Sequence, residues 1–421
     1  MSNFKFIHAA DLHIDSPLKG LDKYDGAPVD EIRSATRRAF ENLVELAIKE
    51  EVAFVLLAGD IYDGTWRDHN TGLYFVSQMA DLNEAGIKVF MVSGNHDAES
   101  KITKQLQFPD NVAHFPSNKP LTIKIDELEC AIHGQSFIDA SVSENLAVNY
   151  PAPITNYLNI GVLHTSVEGR EWHDPYAPCT LSDLKGKGYD YWALGHIHKR
   201  EVLSEDPYVV FPGNIQGRHA RETGEKGCTV VAVEDDSIVS VEHENLDVLR
   251  WLLCEIDATE FETLQEILDA VGEDLKEKVQ SNINMPLVVR ISVSGVTNLH
   301  YKLVQIKDEF VTDCRAQAIG IPGADIWVEK VIVNTSAQSA VEAIAMDEDT
   351  LASIQERTNN MIEDDGLLDI IIDDLSDFNK QIPEELKQTD EEEMLFDKGS
   401  IKKLLKEAGD LITGHLSGGK S

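Results

Sequence analysis

Short apolar runs of strand length occupy residues 4–10, 53–58 and 87–93 (FKFIHAA, AFVLLA and IKVFMVS), and each leads into a polar cluster. Between the first two, EIRSATRRAFENLVELAIKEE (31–51) places Ile32, Ala39, Phe40, Leu43, Leu46, Ala47 and Ile48 on roughly one helical face. Strand alternating with helix predicts βαβ units, and open α/β sheets keep their sites at the carboxyl ends of the strands. Further strands are expected at 130–133, 159–164, 190–194 and 208–211. Residues 229–246 read as a hairpin turning at Asp235, Asp236 and Ser237, which would close a first domain, 1–248.

The alternation then restarts. RWLLCEID (250–257), PLVVRISVSG (286–295) and ADIWVEKVIVN (324–334) are strand-like, with helical stretches at 259–280 and 299–319 between them. A smaller α+β domain is therefore expected over 249–335. Beyond it, 336–421 turns acidic, with helical patches at 350–363, 366–377 and 399–415. Two readings of this tail are open: a solvated, partly mobile segment, or a helical arm that docks a partner protein.

Composition narrows the classes. The chain has 421 residues, 42% of them hydrophobic, enough for a large core over more than one domain. No window approaches the 18 or so consecutive apolar residues of a membrane helix, so no membrane association is expected. The start, MSNFKFIHAADLH, has neither a charged n-region nor an apolar h-region, so no secretory signal is expected. Cys130, Cys179, Cys228, Cys254 and Cys314 are odd in number and widely spaced, as buried thiols in a reducing cytoplasm would be. The net charge of −37 weighs against a broad nucleic-acid footprint, but it is uneven: 341–400 holds 19 acidic against 4 basic residues. Acidic residues that hold metal would offset part of the remainder.

The chemistry lies where the apolar runs end. DLH (11–13), GDIYD (59–63), GNHD (94–97), LH (163–164) and GHIH (195–198) form an ordered series of Asp, Asn and His. These residue types suit a pair of divalent cations, which in phosphate-ester hydrolysis acidify a water and neutralise the phosphate. Asp11 and His13 are two apart, as are His196 and His198, so each pair can share one face of an extended strand end. Asp60 has two oxygens and can bridge two cations, while Asn95 offers a neutral hard oxygen. His96 beside Asp97 suits a proton donor or oxyanion stabiliser. Alone, each histidine reads more simply as a structural residue; together they form a site.

This series resembles the calcineurin-like metallophosphoesterases, whose pattern is D-x-H, G-D-x-x-D, G-N-H-[DE], a lone His and G-H-x-H, over about residues 5–250. HAADLHIDSPLKGL and FPGNIQGRHARETGEKG are most similar to the SbcD-type DNA double-strand-break repair nucleases, in particular a bacterial YhaO-like branch of DNA repair exonucleases. The resemblance implies an α+β sandwich core of mixed β-sheets flanked by helices, with 249–335 placed as a DNA-capping domain. It implies one metal held by Asp11, His13, Asp60 and His198, and a second held by Asp60, Asn95, His164 and His196. His96 would act on the phosphate or leaving group, supported by Asp97. Mn²⁺ is the implied ion, with Mg²⁺ the other choice. A separate ABC/SMC-like coiled-coil ATPase and a homodimer are the implied partners beside DNA. Archaeal relatives have a functional His where Asp63 stands, which puts that imidazole's role in doubt here. The phosphatase branch continues G-D-x-x-D-R-G and prefers G-N-H-E, whereas this chain has Gly64, Thr65 and Trp66 after Asp63.

Substrate contacts are expected from Lys199, Arg200, Arg218, His219 and Arg221, against the alternative of ordinary surface charge. Trp172 and His173 could stack on a base, or simply pack on the core. The last eight residues, GHLSGGKS, satisfy a P-loop expression but lack the preceding strand and following helix a P-loop needs, so nucleotide binding is not expected. The reading is thus a metal-dependent DNA exonuclease or endonuclease in the cytoplasm. A phosphomonoesterase or small-molecule phosphodiesterase is the first alternative, and a partner-binding subunit with a structural metal site the second.

Overall fold

The computed structural model describes residues 3–16, 29–63, 69–99, 106–167, 176–337, 348–381 and 398–417. Trp172, His173, Gly64, Thr65, Trp66 and the closing Gly419, Lys420 and Ser421 lie outside them. The chain divides after Trp251 into two compact units.

The first unit holds two six-stranded mixed sheets. One comprises β1 (Phe4–Ala9), β2 (Phe54–Ala58), β3 (Lys88–Val92), β4 (Val112–His114), β11 (Gly227–Glu234) and β12 (Ser237–Asn245), in the order β12-β11-β1-β2-β3-β4. The other comprises β5 (Leu121–Ile125), β6 (Cys130–Gly134), β7 (Leu158–His164), β8 (Tyr191–Gly195), β9 (Glu201–Glu205) and β10 (Tyr208–Phe211), in the order β5-β6-β7-β8-β10-β9. In the first, β1 to β4 are parallel and β11 and β12 are added antiparallel; in the second, β6, β7, β8 and β10 are parallel and the edge strands β5 and β9 antiparallel. Phe6, Phe54 and Phe90 of the first sheet share one buried cluster with Ile132, Ile160, Val162 and Tyr191 of the second. The sheets therefore face each other across a common core, and β1, β2, β7 and β8 are apolar nearly throughout because both faces are covered.

Helices cover the outer face of the first sheet. α1 (Val29–Lys49) buries Ile32, Ala35, Ala39, Phe40, Leu43, Val44 and Ala47, the i, i+3, i+4 stripe expected of an amphipathic helix. Ile48 is exposed, so the face runs through Ala35 and Val44 instead. α2 (His69–Glu84), unmarked in the sequence reading, packs Phe75, Met79 and Leu82 into the same cluster. Short α3 (Asn95–Glu99) and α4 (Leu181–Lys185) complete the unit. The β11–β12 hairpin turns on Asp235 and Asp236, both at positive φ (49° and 63°), a conformation Asp tolerates in tight turns.

His8 ties the two sheets beneath the site. Its Nε2 lies 3.1 Å from the Leu194 carbonyl and its Nδ1 3.0 Å from the Tyr191 hydroxyl. A carbonyl only accepts, so Nε2–H donates to it and Nδ1 accepts from tyrosine. Burial depresses this pKa to about 3, and His8 folds neutral. Because the unfolded imidazole titrates near 6.5, this contribution to stability is complete above that pH and is lost as pH falls toward 3. Between pH 7 and 5 the wild type should lose about 2 kcal/mol more than His8→Gln. Urea unfolding at the two pH values measures the difference; equal losses would exclude a buried neutral His8.

The second unit has a three-stranded sheet, β13 (Arg250–Asp257), β14 (Leu287–Val296) and β15 (Ile326–Ser336), in the order β13-β14-β15. α5 (Leu264–Ser281) begins five residues later than the sequence pattern suggests, because Thr263 and Glu266 form a capping box. The expected helix over 299–319 breaks at Ile306 into α6 (His300–Gln305) and α7 (Lys307–Ile319). The acidic tail forms α8 (Glu348–Glu363), α9 (Asp365–Gln381) and α10 (Lys398–Ser417). α10 packs against α6, α8 and α9, and Leu368 and Ile401 are buried. Gly414 falls in the last turn of α10, so a helix precedes the P-loop-like residues. No described helix is long and apolar enough to cross a membrane.

Candidate metal centre

The parallel strands bring their carboxyl ends to one place. Asp11 and His13 follow β1, Asp60 follows β2, Asn95 follows β3, His164 ends β7, and His196 and His198 follow β8. The chain turns sharply at these points: Asp11, His13, Asp60 and His196 all have positive φ (53°, 44°, 52° and 108°). Such conformations are rare for residues with side chains and concentrate at functional sites. Cross-strand bonds hold them, from Asp11 N to Gly59 O and from His13 N to Asp60 O, each 3.0 Å. Two glycines permit the close approach. A Cβ on Gly94 would lie 2.3 Å from the Asp60 carboxylate, and one on Gly195 2.0 Å from the Ala58 carbonyl.

Among the described residues, three groups of ligand atoms converge: Asp11, His13 and His198; His13, Asp60 and His96; and Asp11, Asp60 and His164, within 4.8 Å in each group. His164 shows what the cluster suits. Its Nδ1 sits 3.0 Å from the Ala58 carbonyl, so that nitrogen carries the proton. Its Nε2 lone pair then faces two further acceptors, Asn95 Oδ1 at 3.0 Å and Asp60 Oδ2 at 3.4 Å. His13 Nε2 similarly lies 3.2 Å from His198 Nε2 and 3.9 Å from Asp60 Oδ2. Burial keeps His13 and His164 neutral, the latter at about 3. Burial, then the charge of Asp60, pushes the Asp11 carboxyl well above its usual range. Convergent lone pairs and repelling buried carboxylates are what bound cations relieve, so the residues fit divalent metal. His196 is not in the three groups; its backbone N–H donates to Asp11 and its ring lies edge-on to His164, with centroids 5.3 Å apart.

His96 stands at the rim, with its side chain 39% exposed. Burial opposes its charge, but the carboxylate of Asp63, 3.1 Å from Nδ1, and the charge of Asp60 prevail and raise its pKa. Asp97, expected to support His96, is occupied elsewhere. Its carboxylate accepts from the backbone N–H groups of Ile61, Tyr62 and Gly94, joining the two loops that carry Asp60 and Asn95. Asp63 is the acid that faces His96, and it also accepts from the Ser16 hydroxyl.

The basic residues separate into two kinds. Arg218 is nearly buried and paired with Glu222, Nη2 to Oε1 at 2.9 Å, so it is not a free phosphate clamp. Lys199 and Arg221 are exposed, and His219 and Arg200 are intermediate. Glu222 escaped the sequence reading: it is buried, and its Oε1 lies 2.6 Å from His198 Nδ1. Burial alone would raise its pKa, but Arg218 holds it well below the usual range.

Strands that deliver Asp, Asn and His to the mouth of a two-sheet sandwich define a metal-dependent phosphoesterase. A model of the calcineurin-like phosphoesterases matches residues 4–200, and one of the middle domain of metallophosphoesterase YhaO matches 251–336. The chain is 37% identical to metallophosphoesterase YhaO of Bacillus subtilis over 299 residues, 70% of this chain and 72% of that protein, and it belongs to the calcineurin-like metallophosphoesterase family. It is also 24% identical to the DNA double-strand break repair protein Mre11 of Sulfurisphaera tokodaii, over 70% of this chain and 74% of that one. The corresponding figures for the Sulfolobus acidocaldarius protein of the same name are 23%, 73% and 80%.

Proposed function

We propose that this metallophosphoesterase is a two-metal phosphodiesterase that cleaves DNA, as an exonuclease, an endonuclease or both. The observation that carries the hydrolytic part is the convergence of Asp11, His13, Asp60, His164 and His198, with His96 beside them at the rim. DNA as substrate is supported by the likeness to proteins named for double-strand break repair, which covers more residues than the first unit contains.

In this reading Asp11, His13, Asp60 and His198 hold one ion, and Asp60, Asn95, His164 and His196 the other. The imidazole-rich set suits Mn²⁺ better than Mg²⁺, which prefers oxygen. When bound, the metals supply positive charge to the phosphate and favour ionisation of the attacking water. His96, kept protonated through Asp63, donates to a phosphate oxygen or the leaving group. Asp97 fixes the loops that carry the ligands. Lys199, Arg200, His219 and Arg221 contact backbone phosphates, and Arg218 acts through Glu222. We assign 249–335 as the domain that caps the substrate. A separate ABC/SMC-like ATPase partner, a homodimer and a cytoplasmic setting belong to the same proposal.

The net charge of −37 favours a second reading, hydrolysis of a small phosphodiester or a phosphomonoester at the same site. Incubation with Mn²⁺ and labelled single- and double-stranded DNA, beside bis-p-nitrophenyl phosphate and p-nitrophenyl phosphate, separates the two. DNA and diester cleavage is expected; hydrolysis of the monoester alone would sink the nuclease proposal.

A further inference from the structure

We infer that Glu222, braced by Arg218, is a positioning residue that fixes the tautomer and direction of His198 as a metal ligand. This rests on reading His198 as such a ligand. A carboxylate only accepts, so the 2.6 Å contact from Glu222 Oε1 puts the proton on His198 Nδ1 and leaves the lone pair on Nε2. That lone pair points into the cluster, 3.2 Å from His13 Nε2 and 3.9 Å from Asp11 Oδ1.

Glu222 is itself held at both oxygens. Oε1 also accepts from Arg218 Nη2 at 2.9 Å; Oε2 accepts from Arg218 N at 2.8 Å, Arg218 Nε at 3.3 Å and Asn214 Nδ2 at 2.9 Å. The 3.2 Å approach of Arg218 Nη2 to His198 Nδ1 follows from both groups donating to the same oxygen. Lys226 Nζ pins the other side of the residue, 2.8 Å from the His198 carbonyl. Arg218 also cancels the charge of Glu222, so the brace adds no net charge beside Asp11 and Asp60. His164 is set differently, by the neutral Ala58 carbonyl. A carboxylate partner makes the imidazole a stronger ligand than a carbonyl does, and losing such a partner typically weakens metal binding about 10–100-fold.

Mn²⁺ binding to the full chain, followed through the EPR signal of free Mn²⁺, tests this without recourse to activity. The wild type should bind two ions. Glu222→Gln should bind one of them at least about 10-fold more weakly. Glu222→Asp, which keeps the charge facing Arg218, should fall between. Unchanged affinity in either variant, once its metal-free melt matches the wild type, overturns the inference. A wild type that binds no Mn²⁺ refutes the ligand reading beneath it. Should both variants fail to fold, long-range ¹H–¹⁵N spectra of metal-free wild type decide: Nδ1–H at His198 supports the inference and Nε2–H refutes it.

Discussion

Asp60→Asn is expected to abolish hydrolysis and to strip the chain of tightly held metal. Asp60, like Asp11, belongs to two of the converging groups, and its Oδ2 lies 3.4 Å from His164 Nε2 and 3.9 Å from His13 Nε2. Its Oδ1 accepts from the His96 backbone, a bond that an amide oxygen can still make. The substitution therefore removes charge while keeping shape. It removes the stronger of the charges that repel Asp11, so the metal-free variant should melt no lower than the wild type. Turnover should fall by about 10³-fold or more, equivalent to ~4 kcal/mol of barrier. Metal content measured by inductively coupled plasma mass spectrometry should drop from two ions per chain to one or none. EDTA treatment of the wild type should reproduce the loss, and added Mn²⁺ should restore the wild type alone. A variant that keeps both ions would remove Asp60 from the bridging position.

His96→Ala should separate chemistry from metal binding. Its imidazole is the most exposed of the clustered groups and is held at Nδ1 by Asp63 rather than by a strand end. Truncation costs little packing and removes the proposed proton donor. We expect kcat to fall about 10²–10⁴-fold, the range for general acid–base groups, while metal content stays near two per chain. Because His96 lies within ligand distance of His13 and Asp60, loss of an ion in this variant would make it a ligand and not the proton donor.

The strands that carry the site were legible because burial on both faces leaves a plain mark: β2 and β7 are apolar almost without interruption. The ligand motifs were legible because each closes such a run. Less of the surroundings could be read. Asp97 follows His96 in sequence, yet a turn of α3 aims its carboxylate at backbone N–H groups, and Asp63, 33 positions earlier, faces the imidazole instead. Arg218 was expected to contact substrate, with ordinary surface charge as the alternative, and its pairing with Glu222, four residues on, could not be read. Glu222 itself carried no signal, since an acidic residue in RHARETGEKG is ordinary in so acidic a chain.

Periodicity and residue chemistry are local properties, and they sufficed for the alternation of strand and helix and the series of metal-binding residue types. Partner choice is not local. His8 meets Leu194 across 186 positions, His164 meets Asn95 across 69, and His198 meets Glu222 across 24. Those pairings exist only once two sheets share a core and their parallel strands end together. Electrostatics and hydrogen bonding depend on separations of a few ångströms that chain order does not specify. The fold therefore selected which acid faces which imidazole, and which arginine is paired with a carboxylate.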